Sequence, residues 1–84
     1  MIIKWKEKAL KQIKKLKNYQ AKERILETID VYAGGGHVDI IALTDHQYTH
    51  RIRVGDYRIL INIVSEEIQV THIEEVKKRD DTTY

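Results

Sequence analysis

The sequence has 84 residues, of which 42% are hydrophobic and 33% charged, with a formal net charge of +2 and no cysteine. This length accommodates one globular domain over residues 1–84, and the lack of cysteine excludes disulfides, thiolate metal sites and a cysteine nucleophile. Without a signal-peptide pattern or the roughly 20 consecutive apolar residues that span a bilayer, we expect a cytoplasmic protein with no membrane partner.

The first third of the chain predicts one strand and two helices. Ile2–Trp5 is β-branched and aromatic, which is typical of a strand. Apolar residues recur at three- and four-residue spacing over 6–17 and again over 21–33, which indicates two amphipathic helices. Asn18 ends the first helix and three glycines at 34–36 end the second. The two helices are therefore expected to form a hairpin.

The rest of the chain predicts a connector, three strands and a tail. Residues 37–48 lack a clean period and are expected to be irregular. Alternating apolar and polar residues then predict three strands, at 49–54, 57–64 and 67–73. Gly55-Asp56 fits a two-residue hairpin turn of type II′, and residues 74–84 are expected to form a charged tail. Alternation assigns these residues to the core-facing side: His50, Ile52, Val54, Tyr57, Ile59, Ile61, Ile63, Ile68, Val70 and His72.

These elements together predict an α+β fold. A short N-terminal strand and a helix hairpin precede a three-stranded antiparallel meander, and the helices pack on one face of the twisted sheet. Positive charge is concentrated at the start, where residues 1–24 hold nine Lys/Arg and two acids. A basic helix favours a polyanionic partner, although a solvated lysine-rich face explains the charge equally well.

Three arginines are predicted on the sheet face that the helices leave open. The turn places Arg53 directly opposite Arg58, and Arg51 lies two residues along the same face. Like charges that face each other destabilise a strand pair, whereas guanidinium groups bind phosphate oxygens in a bidentate manner. The cluster therefore indicates a phosphate site; the competing interpretation is three guanidinium groups that simply extend into water.

The run HRIRVGDYRIL at 50–60 and the closing segment KKRDDTTY at 77–84 resemble the second half of RelE/ParE toxins of type II toxin–antitoxin systems. Members of that superfamily show an R-x-R-x-G-x-Y-R hairpin, a hydrophobic strand and a basic segment that ends in tyrosine. The opening strand and the lysine-rich helix are also similar. The resemblance covers nearly the whole chain and implies the RelE/ParE-like fold.

The resemblance to the RelE-like branch implies a ribosome-dependent mRNA endonuclease, with the ribosome, mRNA and a cognate antitoxin as partners and no metal or other cofactor. A ribose 2′-hydroxyl would attack the adjacent phosphodiester, helped by proton transfer and positive charge. Arg58 would contact the scissile phosphate, and Arg79 would stabilise charge or assist the leaving group. Tyr84 would position or deprotonate the 2′-hydroxyl or stack on a base, and Arg51 and Arg53 would bind RNA phosphates.

The sequence departs from that pattern on the strand before the hairpin. The best-known ribosome-dependent members have a lysine pair there, whereas this chain has only arginines, which are poor general bases. His50 is a candidate base, although alternation places it on the core face. Two alternatives stay open: a ParE-like inhibitor of DNA gyrase that cleaves nothing, and a degenerate toxin that only binds its antitoxin. The joint presence of Arg58, Arg79 and Tyr84 favours cleavage.

Overall fold

The computed structural model describes residues 1–65 and 69–79. Within them the elements follow in the order β1 (Ile2–Trp5), α1 (Glu7–Lys15), α2 (Tyr19–Ala33), β2 (Ile40–Ala42), β3 (His50–Val54), β4 (Tyr57–Ser65) and β5 (Val70–Lys78). The strands form one sheet in the order β1-β5-β4-β3-β2. The predicted α+β class is confirmed. No helix in the described part of the chain is long and apolar enough to cross a membrane.

The two helices bury apolar side chains at helical spacing against the sheet. Helix α1 buries Ala9 and Ile13, four residues apart, and α2 buries Ile25, Ile29 and Tyr32 in the same manner. Asn18, expected to end the first helix, begins the second, because its side-chain oxygen accepts a 3.1 Å hydrogen bond from the Ala21 N–H.

The hydrophobic core lies between the helices and one face of the sheet. Ile52, Ile59, Ile61 and Ile73 are fully buried there, and each contributes roughly 1.5–3 kcal/mol of apolar burial. The alternation predicted for the first two meander strands is therefore confirmed.

The β3–β4 hairpin has the predicted register. Gly55 has a φ of 57°, whereas Asp56 does not adopt a positive φ, as a type II′ turn requires of its two central residues. Val54 consequently lies opposite Tyr57, and Arg53 lies opposite Arg58.

Both edges of the sheet differ from the prediction of a purely antiparallel meander. The connector over 37–48 contains β2, in which Ile40 lies opposite Ile52 and Ile41 opposite Arg51. A strand of three residues is too short to show a period in the sequence. At the other edge β1 pairs with β5 in parallel, which makes the sheet mixed. Local patterns carry no information on such a distant pairing.

Strand β5 continues to Lys78, so the prediction that the chain is a charged tail from residue 74 was wrong for 74–78. The reason is a β-bulge: Ile73 lies opposite Ile61 while Glu75 lies opposite Leu60, which leaves Glu74 as an extra residue. The bulge hides the strand from a search for strict alternation.

The core-facing assignment of Val70 and His72 was also wrong. Thr71 and Ile73, between and beyond them, are the buried residues of this stretch, and the Tyr32 hydroxyl of α2 lies 2.9 Å from Thr71 Oγ1. Because successive side chains alternate, His72 faces the other way, where its Nδ1 lies 3.8 Å from Glu74 Oε1. Ile68, assigned to the same face, lies outside the described residues.

Candidate nucleic-acid interface

The sheet face turned away from the helix-packed core carries a basic surface, which we call the outer face. On it Arg53 lies opposite Arg58 and Arg51 lies opposite Leu60, and the next strand adds two further pairs. Arg58 lies opposite Lys77, and Leu60 lies opposite Glu75. The outer face is defined by these residues of β3, β4 and β5: Arg51, Arg53, Arg58, Leu60, Glu75 and Lys77. The strand register places the three arginines on one face of the sheet, as predicted.

Arg51 is the most unusual of these arginines because it is only 9% exposed. Its neighbours on the adjacent strands are Ile41 and Leu60. Its Nη1 lies 3.7 Å from Asp39 Oδ1 and has no hydrogen-bond partner among the described residues. A buried charged donor without an acceptor costs free energy, and an anion bound on the outer face would supply that acceptor.

Arg53 and Arg58 lie on the outer face next to the Gly55-Asp56 turn. Arg53 is exposed and Arg58 is half-buried. The backbone N–H of Arg53 donates a 2.8 Å hydrogen bond to the Asp39 carbonyl, and that of Arg79 donates a 2.6 Å hydrogen bond to the Asp56 carbonyl. The structure therefore brings Arg79 to the end of the sheet where Arg58 lies.

A carboxylate occupies the middle of this basic surface. Glu75 is only 5% exposed, and its Oε2 accepts a 3.1 Å hydrogen bond from the Tyr48 hydroxyl. Its Oε1 lies 3.3 Å from Lys8 Nζ and 3.7 Å from Lys77 Nζ. The sequence does not predict this cluster, because its patterns place Glu75 in a tail, Tyr48 in a connector and Lys8 on a basic helix face that either binds a polyanion or is solvated.

The contacts within this cluster shift the pKa of Glu75 and that of Tyr48 in opposite directions. Burial alone would raise the pKa of Glu75, but hydrogen bonds from Tyr48 and Lys8 and the charge of Lys77 outweigh it and hold the pKa below its ordinary value. Burial and the bond to Glu75 raise the pKa of the Tyr48 phenol. At neutral pH Glu75 is therefore an anion and Tyr48 is neutral, which makes both weak proton acceptors.

Three solved structures with a similar fold belong to complexes of the same kind. The chain superposes on the archaeal RelE–RelB complex from Pyrococcus horikoshii OT3 with a TM-score of 0.74 and 23% identity, over 96% of this chain and 97% of that one. For the RelB–RelE complex from Methanococcus jannaschii the TM-score is 0.71, with 20% identity over 89% and 88% of the two chains. The chain has a RelE-like fold.

A more distant match is a complex of the same kind. The intact E. coli RelBE complex gives a TM-score of 0.52 and 17% identity over 94% of this chain and 96% of that one. Protein-family models and curated proteins give no match to the sequence. The likeness is therefore one of fold, carried by structure over nearly the whole length of the chain.

Within this RelE-like fold, His50 is separated from the arginines. It lies opposite the buried Ile61, and its Nδ1 is 2.8 Å from Thr49 Oγ1. Arg51, the next residue, points to the outer face, so His50 points to the helix side of the sheet. As a general base for RNA bound on the outer face, His50 stays a prediction that this geometry does not favour.

Two further points concern Tyr84 and metal binding. Tyr84, predicted to contact the 2′-hydroxyl or a base, lies outside the described residues. Across residues 1–65 and 69–79, His, Asp and Glu side chains form no group of three or more that could hold a metal ion. Among the described residues, the structure brings together arginines, lysines, the carboxylates of Asp39 and Glu75, and the phenol of Tyr48.

Proposed function

We propose that this chain is the toxin of a type II toxin–antitoxin system and acts as a ribosome-dependent endoribonuclease on mRNA. The observation that carries the proposal is the buried Arg51, whose Nη1 has no hydrogen-bond acceptor within residues 1–65 and 69–79. It lies on the same sheet face as the opposed pair Arg53 and Arg58. A phosphodiester backbone supplies the oxygens that such a face requires. The RelE-like fold supports the same conclusion.

The chemistry that fits these residues is attack of a ribose 2′-hydroxyl on the neighbouring phosphorus. The O2′–P bond forms a 2′,3′-cyclic phosphate as the P–O5′ bond breaks, and the 2′-hydroxyl loses a proton while the departing 5′-oxygen gains one. Negative charge accumulates on the phosphoryl oxygens in the transition state, and preorganised cations stabilise it. Arg58 is assigned to the scissile phosphate, Arg51 and Arg53 to RNA phosphates, Arg79 to the developing charge or leaving oxygen, and Tyr84 to the 2′-hydroxyl. Arginines remain charged at any physiological pH, so their contribution is electrostatic.

The proposed partners follow from this assignment. An antitoxin that binds the outer face would place acidic side chains over the arginines, since complementary charge steers and orders such complexes. The similar RelE chains were solved in complex with RelB. Action on mRNA in the ribosome places the protein in the cytoplasm and makes the ribosome its second partner.

The test is mRNA cleavage in a translating extract, with cut positions mapped by primer extension. We expect cuts within translated codons that depend on active ribosomes and that disappear when purified cognate antitoxin is added. An extract that translates normally in the presence of the chain would contradict the proposal. Inhibition of DNA gyrase supercoiling without any RNA cut would assign the same fold to the other branch.

A further inference from the structure

We propose that His46 and Tyr48 form an aromatic platform on which one base of single-stranded RNA stacks, beside the arginines of the outer face. This inference rests on the proposed function and extends it by naming a site for the base next to the site for the phosphate. The aromatic platform consists of these two side chains in the loop between β2 and β3, which the sequence predicts only as an irregular connector.

The two rings are held together by the loop itself. Their centroids are 5.6 Å apart and their planes meet at 40°. The backbone N–H of Tyr48 donates a 3.1 Å hydrogen bond to His46 Nδ1, which fixes the imidazole against the loop. His46 is exposed and Tyr48 is half-buried, so the pair is accessible to a ligand.

The Tyr48 ring is also fixed from the sheet. Its hydroxyl donates to Glu75 Oε2 at 3.1 Å, so the side chain extends from the loop before β3 to a residue of β5. Because β4 lies between those strands, this hydrogen bond links the loop to a strand two positions away in the sheet. Lys8 holds the other oxygen of Glu75 at 3.3 Å. A ring anchored at both ends loses little freedom when a ligand binds, which favours affinity.

The position of the aromatic platform suits a nucleotide whose phosphate lies on the arginines. Glu75 lies opposite Leu60, and Leu60 lies opposite Arg51. The backbone positions of Arg51 and of Glu75, which anchors Tyr48, are therefore two strand spacings apart, about 10 Å. Proteins that bind single strands combine a basic track for the backbone with aromatic side chains on which bases stack, and sequence-specific RNA proteins use the same combination.

The surroundings favour RNA over an apolar protein segment as the occupant. The Glu75 carboxylate that anchors the platform forms ion pairs with Lys8 and Lys77, and Arg51 lies beyond the buried Leu60 on the same face. An apolar side chain placed there would desolvate these cations without compensation, whereas a nucleotide offers a flat ring to the platform and an anion to the cations. Glu75 is a positioning residue in this arrangement, since it acts through Tyr48.

The experiment measures binding of a fluorescently labelled RNA hexanucleotide by anisotropy at low ionic strength. Versions with a single abasic site at each position keep every phosphate and lose one base. For the unmodified protein we expect one abasic position to weaken binding by roughly 5- to 100-fold in Kd. For the double variant His46→Ala/Tyr48→Ala, removal of the base at the same position should change Kd by less than about twofold. Thr44→Ala, an exposed change in the same loop, should retain the full effect.

Two further variants keep the result interpretable. Tyr48→Phe retains the ring and loses its anchor, and we expect part of the base effect to remain. His46→Ala alters an exposed residue, so it tests the platform even where the double variant unfolds. Equal Kd values for intact and abasic RNA with the unmodified protein, including absence of binding to both, would overturn the platform. A double variant that keeps the base effect and loses antitoxin binding would also overturn it and would assign the loop to a protein partner. Ribosomal cleavage is measured separately, so failure here leaves the proposed function standing.

Discussion

Arg53 and Arg58 lie directly opposite each other across the β3–β4 hairpin. Facing like charges oppose strand pairing, and a two-residue turn leaves no alternative register that would separate them. The buried Arg51 lies two residues along the same face of β3. The arrangement lowers the stability of the hairpin and raises the density of positive charge on the outer face, which is the compromise expected of a phosphate site.

Replacing Arg53 by glutamate should separate stability from function. Arg53→Glu converts a repulsive cross-strand pair into an attractive one, so the free energy of unfolding should rise by about 0.2–1 kcal/mol, measured by urea denaturation. RNA cleavage should fall at least tenfold because one phosphate ligand becomes an acid. Arg53→Lys is the control that preserves charge and should cleave within a few-fold of the unmodified chain. Unchanged cleavage by Arg53→Glu would exclude Arg53 from the site.

Arg51→Met should stabilise the protein while it removes a phosphate ligand. Arg51 is 9% exposed, and the Asp39 carboxylate, 3.7 Å from its Nη1, is largely exposed. An apolar side chain of similar length avoids that desolvation, and such replacements gain about 1–4 kcal/mol. Arg53→Met, at an exposed position on the same strand, is the control and should gain less. A large loss of stability in Arg51→Met would show that the guanidinium is well paired.

Tyr48→Phe should destabilise the outer face. The change leaves the Glu75 carboxylate without the donor at 3.1 Å, which costs about 1–3 kcal/mol for a buried acceptor. Tyr19→Phe is the matched control, because Tyr19 is 70% exposed and should change stability by less than about 0.5 kcal/mol. Urea unfolding of Tyr48→Phe, Glu75→Gln and the double variant gives the coupling between the two groups. Strictly additive effects would contradict the hydrogen bond.

The ionisation of Glu75 should make the stability of the protein depend on pH in the acidic range. Folding lowers the pKa of Glu75 through its hydrogen bonds to Tyr48 and Lys8 and the charge of Lys77, against the opposing effect of burial. Its stabilising contribution is therefore present above the ordinary glutamate pKa of about 4.3 and is lost as the pH falls through the folded value. The stability difference between the unmodified chain and Glu75→Gln should shrink below about pH 4.3, measured by urea denaturation. A difference that stays constant from pH 6 to pH 3 would contradict this account.

The contribution of Tyr48 to stability should be lost as the pH rises, whereas that of Glu75 is lost as the pH falls. Its pKa is raised, chiefly by burial and the bond to Glu75, so its contribution is present below the ordinary tyrosine pKa of about 10. It is lost as the pH rises through the folded value. Unfolding of the unmodified chain and Tyr48→Phe between pH 8 and pH 11 measures the trend, and parallel curves would contradict it.

The hairpin and its arginines could be predicted from the sequence because a two-residue turn fixes every pair that follows it. Once Gly55-Asp56 is identified as the turn, the pairs Val54–Tyr57 and Arg53–Arg58 follow by counting. The core face of β3 and β4 follows from strict alternation over Ile52, Ile59 and Ile61. Here the local pattern and the tertiary structure carry the same information.

The carboxylate cluster could not be predicted in this way. Glu74 is an extra residue in β5, and after it the inward positions change from odd to even numbers, so Ile73 and Val76 are both buried. Glu75 is then surrounded by side chains from three distant segments, which contribute Lys8, Tyr48 and Leu60. No local period relates these positions.

The most direct test of the outer face as the RNA site compares two arginines at the same turn. Arg58 is the second residue of the return strand β4 and lies on the outer face, whereas Arg24 of α2 approaches Gly55 from the helix side. Single-turnover cleavage of mRNA on stalled ribosomes should fall about 10²- to 10³-fold for Arg58→Ala, as for loss of one transition-state donor. Arg24→Ala should cleave at nearly the unmodified rate, with thermal melts confirming that both variants fold. Equal rates for the two variants, or a larger loss for Arg24→Ala, would contradict the assignment of the scissile phosphate to the outer face.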